Sequence, residues 1–274
     1  MLVYLLGGGD LASGVAVRLH RAGLRVVIAE LPQPLVVRRL VSFANAIFEH
    51  QTYVEEIQGR KITDTAQIGA MLEEEVIPVA VDPQAQLLEA LHANPGLGQP
   101  IVLVDGRMTK KTPELEMDAA DLVIGLGPGF VAGENCHAVI ETNRGHTLGR
   151  VIWEGPPLAD TGIPESVNHQ GVSRVLRAPA DGPLLAHAEI GEHLKAGQLV
   201  AEVAGRSVQA PFNGVLRGLI YPGVEVTVGL KIGDVDPRND PRYCRLVSDK
   251  ALAIGGSVLE AILSRPTLRP YLWK

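Results

Sequence analysis

From residue 2 to about residue 151, short β-branched runs alternate with stretches whose apolar positions recur at helical spacing. The runs lie at 2–6, 25–29, 76–81, 101–104, 122–124 and 138–141, and the helical stretches at 11–22, 36–48, 65–75 and 84–93. This alternation predicts parallel α/β units, and near-continuous apolar strands predict a sheet covered on both faces. After about Ser173 the texture changes to short strands punctuated by Gly and Pro, which predicts a second, all-β region.

That second region repeats with an offset of 32 residues: Ala178, Pro179 and Gly182 recur as Ala210, Pro211 and Gly214, Gly191 as Gly223, and Gly197 as Gly229. Two such halves, each too small to close a core alone, must pack on one another. The last segment, 248–263, opens with the capping-type pair Ser248 and Asp249 and predicts a helix. Gly255 and Gly256 interrupt it at a cost of roughly 2 kcal/mol relative to alanine, so either the helix breaks or a neighbour approaches its backbone closely. The resulting division is 1–150, a connector over 151–172, an all-β domain over 173–240, and a helical segment over 241–274 that packs back on the first domain.

The first strand runs into "LLGGGDLASG", where Gly7, Gly9 and Ala12 match the dinucleotide pattern G-x-G-x-x-[GA] between a strand and a helix. Gly7 permits the turn, Gly9 lets a phosphate approach the backbone, and Ala12 lets helix and strand pack closely. Glu30, 21 residues after Gly9 at the end of the second strand, is placed to accept hydrogen bonds from a ribose diol. Asp10 sits against this reading, since its charge repels a pyrophosphate unless it turns to cap the helix. The bland alternative is that these small residues serve only strand–helix packing.

Two further segments carry candidate chemistry. "DGRMTKK" follows the strand at 101–104, so Asp105 could bind a metal or act as a base, with Arg107 and Lys110 holding an anion. "IGLGPGFVAGENCHAVIETNRGH" offers a second glycine loop, with Gly127 and Gly129 as an anion cradle, leading to Cys136 and on to Glu141, Asn143, Arg144 and His146. Cys136 beside loop amides is a candidate thiolate nucleophile, soft metal ligand or sulfur carrier, or else a small buried hydrophobe. Adjacent strand residues face opposite ways, so a regular strand cannot aim both Cys136 and His137 at one site. No CxxC, HExxH or GxSxG pattern and no spaced His/Cys set occurs elsewhere, and no preformed structural zinc site is expected.

The chain has 274 residues, 46% hydrophobic and 20% charged, enough to bury sizeable cores. Its net charge of −6, with no basic run interleaved with aromatics, argues against a nucleic-acid partner. Two cysteines are too few for a disulfide framework and fit a reducing cytoplasm. The apolar run 2–6 is short and enters a glycine turn, so it reads as a buried strand rather than a leader, and no stretch is long enough to span a membrane.

The 32-residue repeat resembles the barrel-sandwich hybrid of biotinyl and lipoyl carrier domains, which hold a lysine at a hairpin tip. Here that hairpin is "EVAGRSVQ", with Gly205 and Arg206 at the apex and no lysine, so carrier function does not transfer. Over nearly the whole chain, "GGGDLASGVAVRLHRAG", "ELPQPLVVRRLVSFANAIFE", "IGLGPGFVAGENCHAVIETNRGHTLGRVIWEG", "APFNGVLRGLI", "LKIGDVDPRND" and "SDKALAIGGSVLEAIL" resemble the YqeB-type accessory proteins of selenium-dependent molybdenum hydroxylase systems. The resemblance implies a role in maturing a hydroxylase of the xanthine dehydrogenase type, or in supplying its molybdenum cofactor. It transfers no catalytic residue.

The combined expectation is an α/β fold, a Rossmann-like parallel sheet joined to a small barrel-sandwich hybrid, that binds a phosphorylated ligand such as the molybdenum cofactor or a nucleotide. Its partner would be a client molybdenum hydroxylase, with homo-oligomers open. If chemistry occurs, Cys136 is the thiolate, Arg107 or Arg144 holds phosphate, and Asp105 or His146 moves protons. The alternatives are an NAD(P)-dependent oxidoreductase and a non-catalytic docking scaffold.

Overall fold

The computed structural model describes residues 1–114, 116–160 and 172–272. Half of the expected connector, 151–172, lies outside the described residues. The six apolar runs all form strands: β1 (Leu2–Leu6), β2 (Arg25–Glu30), β5 (Ile77–Val81), β6 (Ile101–Asp105), β7 (Leu122–Leu126) and β8 (Ala138–Ile140). Three more complete one sheet: the hairpin β3 (Gln51–Val54) and β4 (Ile57–Lys61), and β9 (Val151–Ile152). The nine strands are ordered β3-β4-β5-β2-β1-β6-β7-β8-β9. The seven from β4 to β8 run parallel, while β3 and β9 pair antiparallel at the two edges.

Strand alternation divides the apolar side chains between two cores. Val3, Leu5, Val26, Ile28, Val102 and Val104 face helices α1 (Asp10–Arg21) and α5 (Asp249–Leu263). Leu2, Tyr4, Val27, Ile101 and Leu103 face α3 (Gln67–Glu73) and α4 (Leu87–Ala93). Helix α5 begins as the sequence predicts, with the Ser248 side chain accepting from the Ala251 amide. It does not break at Gly255. A Cβ there would lie 2.5 Å from the Gly14 carbonyl oxygen, and one on Gly14 would lie 2.6 Å from the Ala251 Cβ, so paired glycines let α5 close on α1.

The expected helix over 36–48 is replaced by two 3-10 turns, Arg39–Val41 and Phe43–Asn45, and the four-residue α2 (Ala46–Glu49). The reason is that backbone groups a helix needs are engaged elsewhere. Ala44 N–H donates to the Gly8 carbonyl at 2.9 Å, and Phe43 N–H to Ser13 Oγ at 2.9 Å. The segment is a seam to the β-rich region: Arg39 Nε donates to the Leu219 carbonyl at 2.7 Å, and Phe48 stacks on Tyr221 at 4.2 Å.

Beyond residue 172 the chain forms two four-stranded antiparallel sheets around a third core. The first half supplies β10 (Val175–Arg177), β11 (Gly182–Ala186), β12 (His193–Leu194) and β13 (Leu199–Val203). The second supplies β14 (Arg206–Gln209), β15 (Gly214–Leu219), β16 (Glu225–Val226) and β17 (Lys231–Asp236). Starts at 182, 193 and 199 recur at 214, 225 and 231, each 32 residues on, which is the offset read from the sequence. The sheets are β10-β17-β15-β12 and β14-β13-β11-β16, so each takes two strands from each half. Neither half has a sheet of its own, and the halves interlock.

Candidate functional site

Strand β1 lies between β2, which leads to one edge, and β6, which leads to the other. Chain connections diverge there, and open parallel sheets leave a crevice at the carboxyl ends of such strands. A cleft of about 1270 Å³ opens at this point. One wall comes from the β1–α1 turn, residues 106–110 after β6 and residues 141–144 after β8; the other comes from Arg174 just before β10, Arg217 on β15, Lys231 on β17 and the start of α5. Nine lining side chains are Lys or Arg and five are Asp or Glu, reversing the balance of a chain with 25 basic and 31 acidic residues.

The glycine turn has the expected backbone and unexpected partners. Gly7 adopts φ +88° and packs against the Arg107 backbone. Gly8, outside the fingerprint, is the tightest position: a Cβ there would lie 2.8 Å from the Ala44 nitrogen, whereas one on Gly9 meets only a Val36 methyl at 3.5 Å. Ala12 is buried and lets the chain at Gly106 pass closely. Glu30 points back into the turn, where its Oε1 accepts from Gly8 N–H at 2.8 Å and its Oε2 from Leu31 N–H at 2.6 Å. Burial raises its pKa against those two bonds. Glu30, read from the sequence as a ribose acceptor, lines the cleft and spends one acceptor site of each oxygen on the backbone.

Asp10 occupies the first turn of α1 and is gripped by the buried Arg38, whose Nη1 reaches both carboxylate oxygens at 2.9 Å. Arg38 also donates through Nη2 to the carbonyls of Tyr243 and Leu246. The positive end of α1 thus has an internal anion, which is itself neutralised.

Other predicted cations are likewise engaged. Arg107 closes on Asp105, with Nη2 to Oδ2 at 2.6 Å, and Asp105 is buried beneath it, away from the cleft lining. This hydrogen-bonded carboxylate raises the Arg107 pKa. Lys110 pairs with Asp160 at 2.6 Å. Arg144 forms a bidentate pair with Asp249 at 2.7 and 2.8 Å, and that bond holds the Asp249 pKa down to about 2. The phosphate-holding roles expected of Arg107 and Arg144 therefore meet cations already closed by carboxylates.

The second glycine loop packs on itself and is no cradle. Gly125 lies under the Phe130 ring, Gly127 (φ +69°) against Thr142, and Gly129 (φ +108°) against the Lys111 carbonyl; of this loop only Pro128 reaches the cleft. Cys136 is fully buried in the core beside α4, and burial pushes its thiol up to about 11. An inaccessible thiol that resists ionisation cannot be the expected nucleophile. His137 accepts from Val123 N–H through Nδ1 at 3.0 Å, Glu141 accepts from the amides of Asn143 and Leu158, and His146 is exposed outside the cleft lining. Cys136, Asp105 and His146 are not brought together. Among the described residues, no group of three or more His, Cys, Asp or Glu side chains could hold a metal ion.

The opposite wall holds residues that the sequence reading passed over. On β17, Asp234 is wholly buried and shared by Arg174 at 3.0 Å, Lys231 at 3.4 Å and Arg217 at 3.5 Å. Arg217 also reaches Asp236 at 3.5 Å, whose main partner is Arg238 at 2.5 Å. Four cations thus face two carboxylates. Burial lowers the pKa of Arg217 and of Lys231, and neighbouring cations lower both further. The one signal available earlier was the alternating "LKIGDVD", whose charged residues stand in an otherwise apolar strand.

No family model matches the chain. It is 43% identical over 262 residues to the uncharacterized protein YqeB of Escherichia coli (strain K12), which covers 96% of this chain and 47% of that protein. The chain therefore spans about half the length of the curated relative it matches. Among solved structures, the apo ectoine utilization protein EutE (DoeB) of Ruegeria pomeroyi covers 85% of both chains at 8% identity and a TM-score of 0.24. An aspartoacylase family protein of Mesorhizobium loti covers 85% of this chain and 84% of its own at 9% identity and a TM-score of 0.27. Likenesses this weak carry no argument.

Proposed function

The chain is a YqeB-type protein, and from that premise we propose that it binds a phosphorylated ligand in the cleft and serves a molybdenum hydroxylase of the xanthine dehydrogenase type. The observation that carries this reading is the cation-rich cleft at the carboxyl ends of β1 and β6. We read its strand order, β5-β2-β1-β6-β7-β8, as the Rossmann-like arrangement, and the interlocked halves as a barrel-sandwich hybrid. At about 1270 Å³ the cleft exceeds the usual range of about 300–1,000 Å³ for single small-molecule sites, which suits a ligand of dinucleotide size. The molybdenum cofactor in its mononucleotide or dinucleotide form, or a free nucleotide, has that size and charge.

The role is binding and delivery rather than thiol chemistry, since both cysteines are buried. The oxidoreductase alternative is less favoured, because the Glu30 carboxylate already braces the amides of Gly8 and Leu31. Disruption in a host that makes such a hydroxylase is expected to leave the hydroxylase polypeptide present, with its molybdenum content and specific activity reduced. Unchanged activity and metal content would refute the accessory role.

A further inference from the structure

Resting on the reading of the cleft as a phosphorylated-ligand site, we propose that the ligand's phosphate is held on the β-rich wall by Arg217 and Lys231, beside the more firmly paired Arg174, rather than at the glycine turn. The ligand class is a phosphate monoester or a terminal phosphate, which brings two negative charges to three cations sharing one carboxylate.

The first argument is occupancy. At the turn, Asp10 supplies the anion at the α1 N-terminus, and Arg38 and Arg107 are each closed by a carboxylate at 2.9 Å or less. On the opposite wall, the contacts of Arg217 with Asp234 and Asp236 are both 3.5 Å, and that of Lys231 with Asp234 is 3.4 Å. Those lengths mark the charges of Arg217 and Lys231 as loosely held and free to turn to a better acceptor, whereas Arg174 is held by Asp234 at 3.0 Å. Arg217 and Arg174 are nearly buried, so water screens them poorly, and Lys231 is open enough to meet a solute.

The second argument comes from the repeat. Subtracting the offset of 32 places Leu185 at the position of Arg217 and Leu199 at that of Lys231. The two sheets share a strand plan, yet at these two positions only the one facing the cleft carries cations, while Arg174 recurs as Arg206 on the other sheet. Leucines satisfy the fold on the other sheet, so the fold does not require these charges. Their cost is explained by a ligand.

The test uses the full chain, with inorganic phosphate as the probe. In calorimetric titration at low salt, Lys231→Gln and Arg217→Gln are each expected to weaken phosphate binding about tenfold or more, while Arg107→Gln stays close to wild type. Lysine acetylation read by mass spectrometry needs no variant, and phosphate is expected to protect Lys231. If phosphate leaves Lys231 unprotected, or binds undiminished to both wall variants and fails with Arg107→Gln, the wall is not the site, although the cleft reading survives. If malonate protects Lys231 as well as phosphate does, the site selects carboxylates and the phosphate assignment is overturned. If neither phosphate nor any phosphorylated ligand binds, the cleft reading falls as well.

Discussion

The backbone N–H of Gly8 donates to Glu30 Oε1 at 2.8 Å, tying the end of β2 to the turn between β1 and α1. An acid at this position in a dinucleotide fold is expected to face a ribose; here it braces the turn from inside. Glu30→Ala strands a buried amide and is expected to cost about 1–3 kcal/mol in urea unfolding. The wild-type pH dependence has a definite sign. Burial raises the folded pKa of Glu30, so the folded state keeps this proton longer than the unfolded one. Its contribution to stability therefore falls as pH rises from the ordinary carboxyl pKa through the raised folded value. Glu30→Gln is expected to remove that fall from the stability-versus-pH curve.

Ranking the turn glycines by substitution separates packing from ligand approach. A Cβ on Gly8 would collide with the Ala44 backbone at 2.8 Å, whereas Gly9 has room at 3.5 Å. Gly8→Ala is expected to destabilise by about 1–3 kcal/mol, and Gly9→Ala by under about 1 kcal/mol. Chemical denaturation of the two variants gives the order directly.

Helix α5 makes a matched pair of predictions from adjacent residues. Gly255→Ala would drive a methyl into the Gly14 carbonyl at 2.5 Å and should cost about 1–3 kcal/mol. Gly256 has nothing within 4 Å of a built Cβ, so Gly256→Ala should stabilise by about 0.5–1 kcal/mol. Opposite signs in thermal unfolding would confirm that only one of the two glycines serves α1.

Both thiols should be silent in the native state. Cys136 and Cys244 are buried, and burial raises both pKa values. A thiol-reactive dye at mildly alkaline pH is expected to label neither cysteine in the native protein and both after denaturation. Rapid labelling of Cys136 without denaturant would restore it as a candidate nucleophile.

The parts of this fold legible in the sequence are those that depend on local pattern. Apolar runs such as 2–6 and 101–104 became central strands, Ser248 caps α5, and the 32-residue repeat gave the strand spacing of the β-rich region. The segment 36–48 misled, since its helical periodicity reflects burial on two sides while Ala44 and Phe43 donate to Gly8 and Ser13. The site was legible only in its location. Nearness to a glycine turn could not show that Arg107 and Arg144 close on Asp105 and Asp249, nor that Arg174, Arg217 and Lys231 meet across the cleft. Those pairings join residues as far as 105 positions apart or close a loop over two residues, and neither leaves a periodic trace.

The central claim is that the cleft holds a phosphorylated ligand, and native mass spectrometry of the protein purified from its own host tests it most directly. The account predicts a retained small molecule that contains phosphorus and is lost from the Arg217→Gln and Lys231→Gln variants. A ligand without phosphorus, or a bare protein mass in wild type and variants alike, would contradict it.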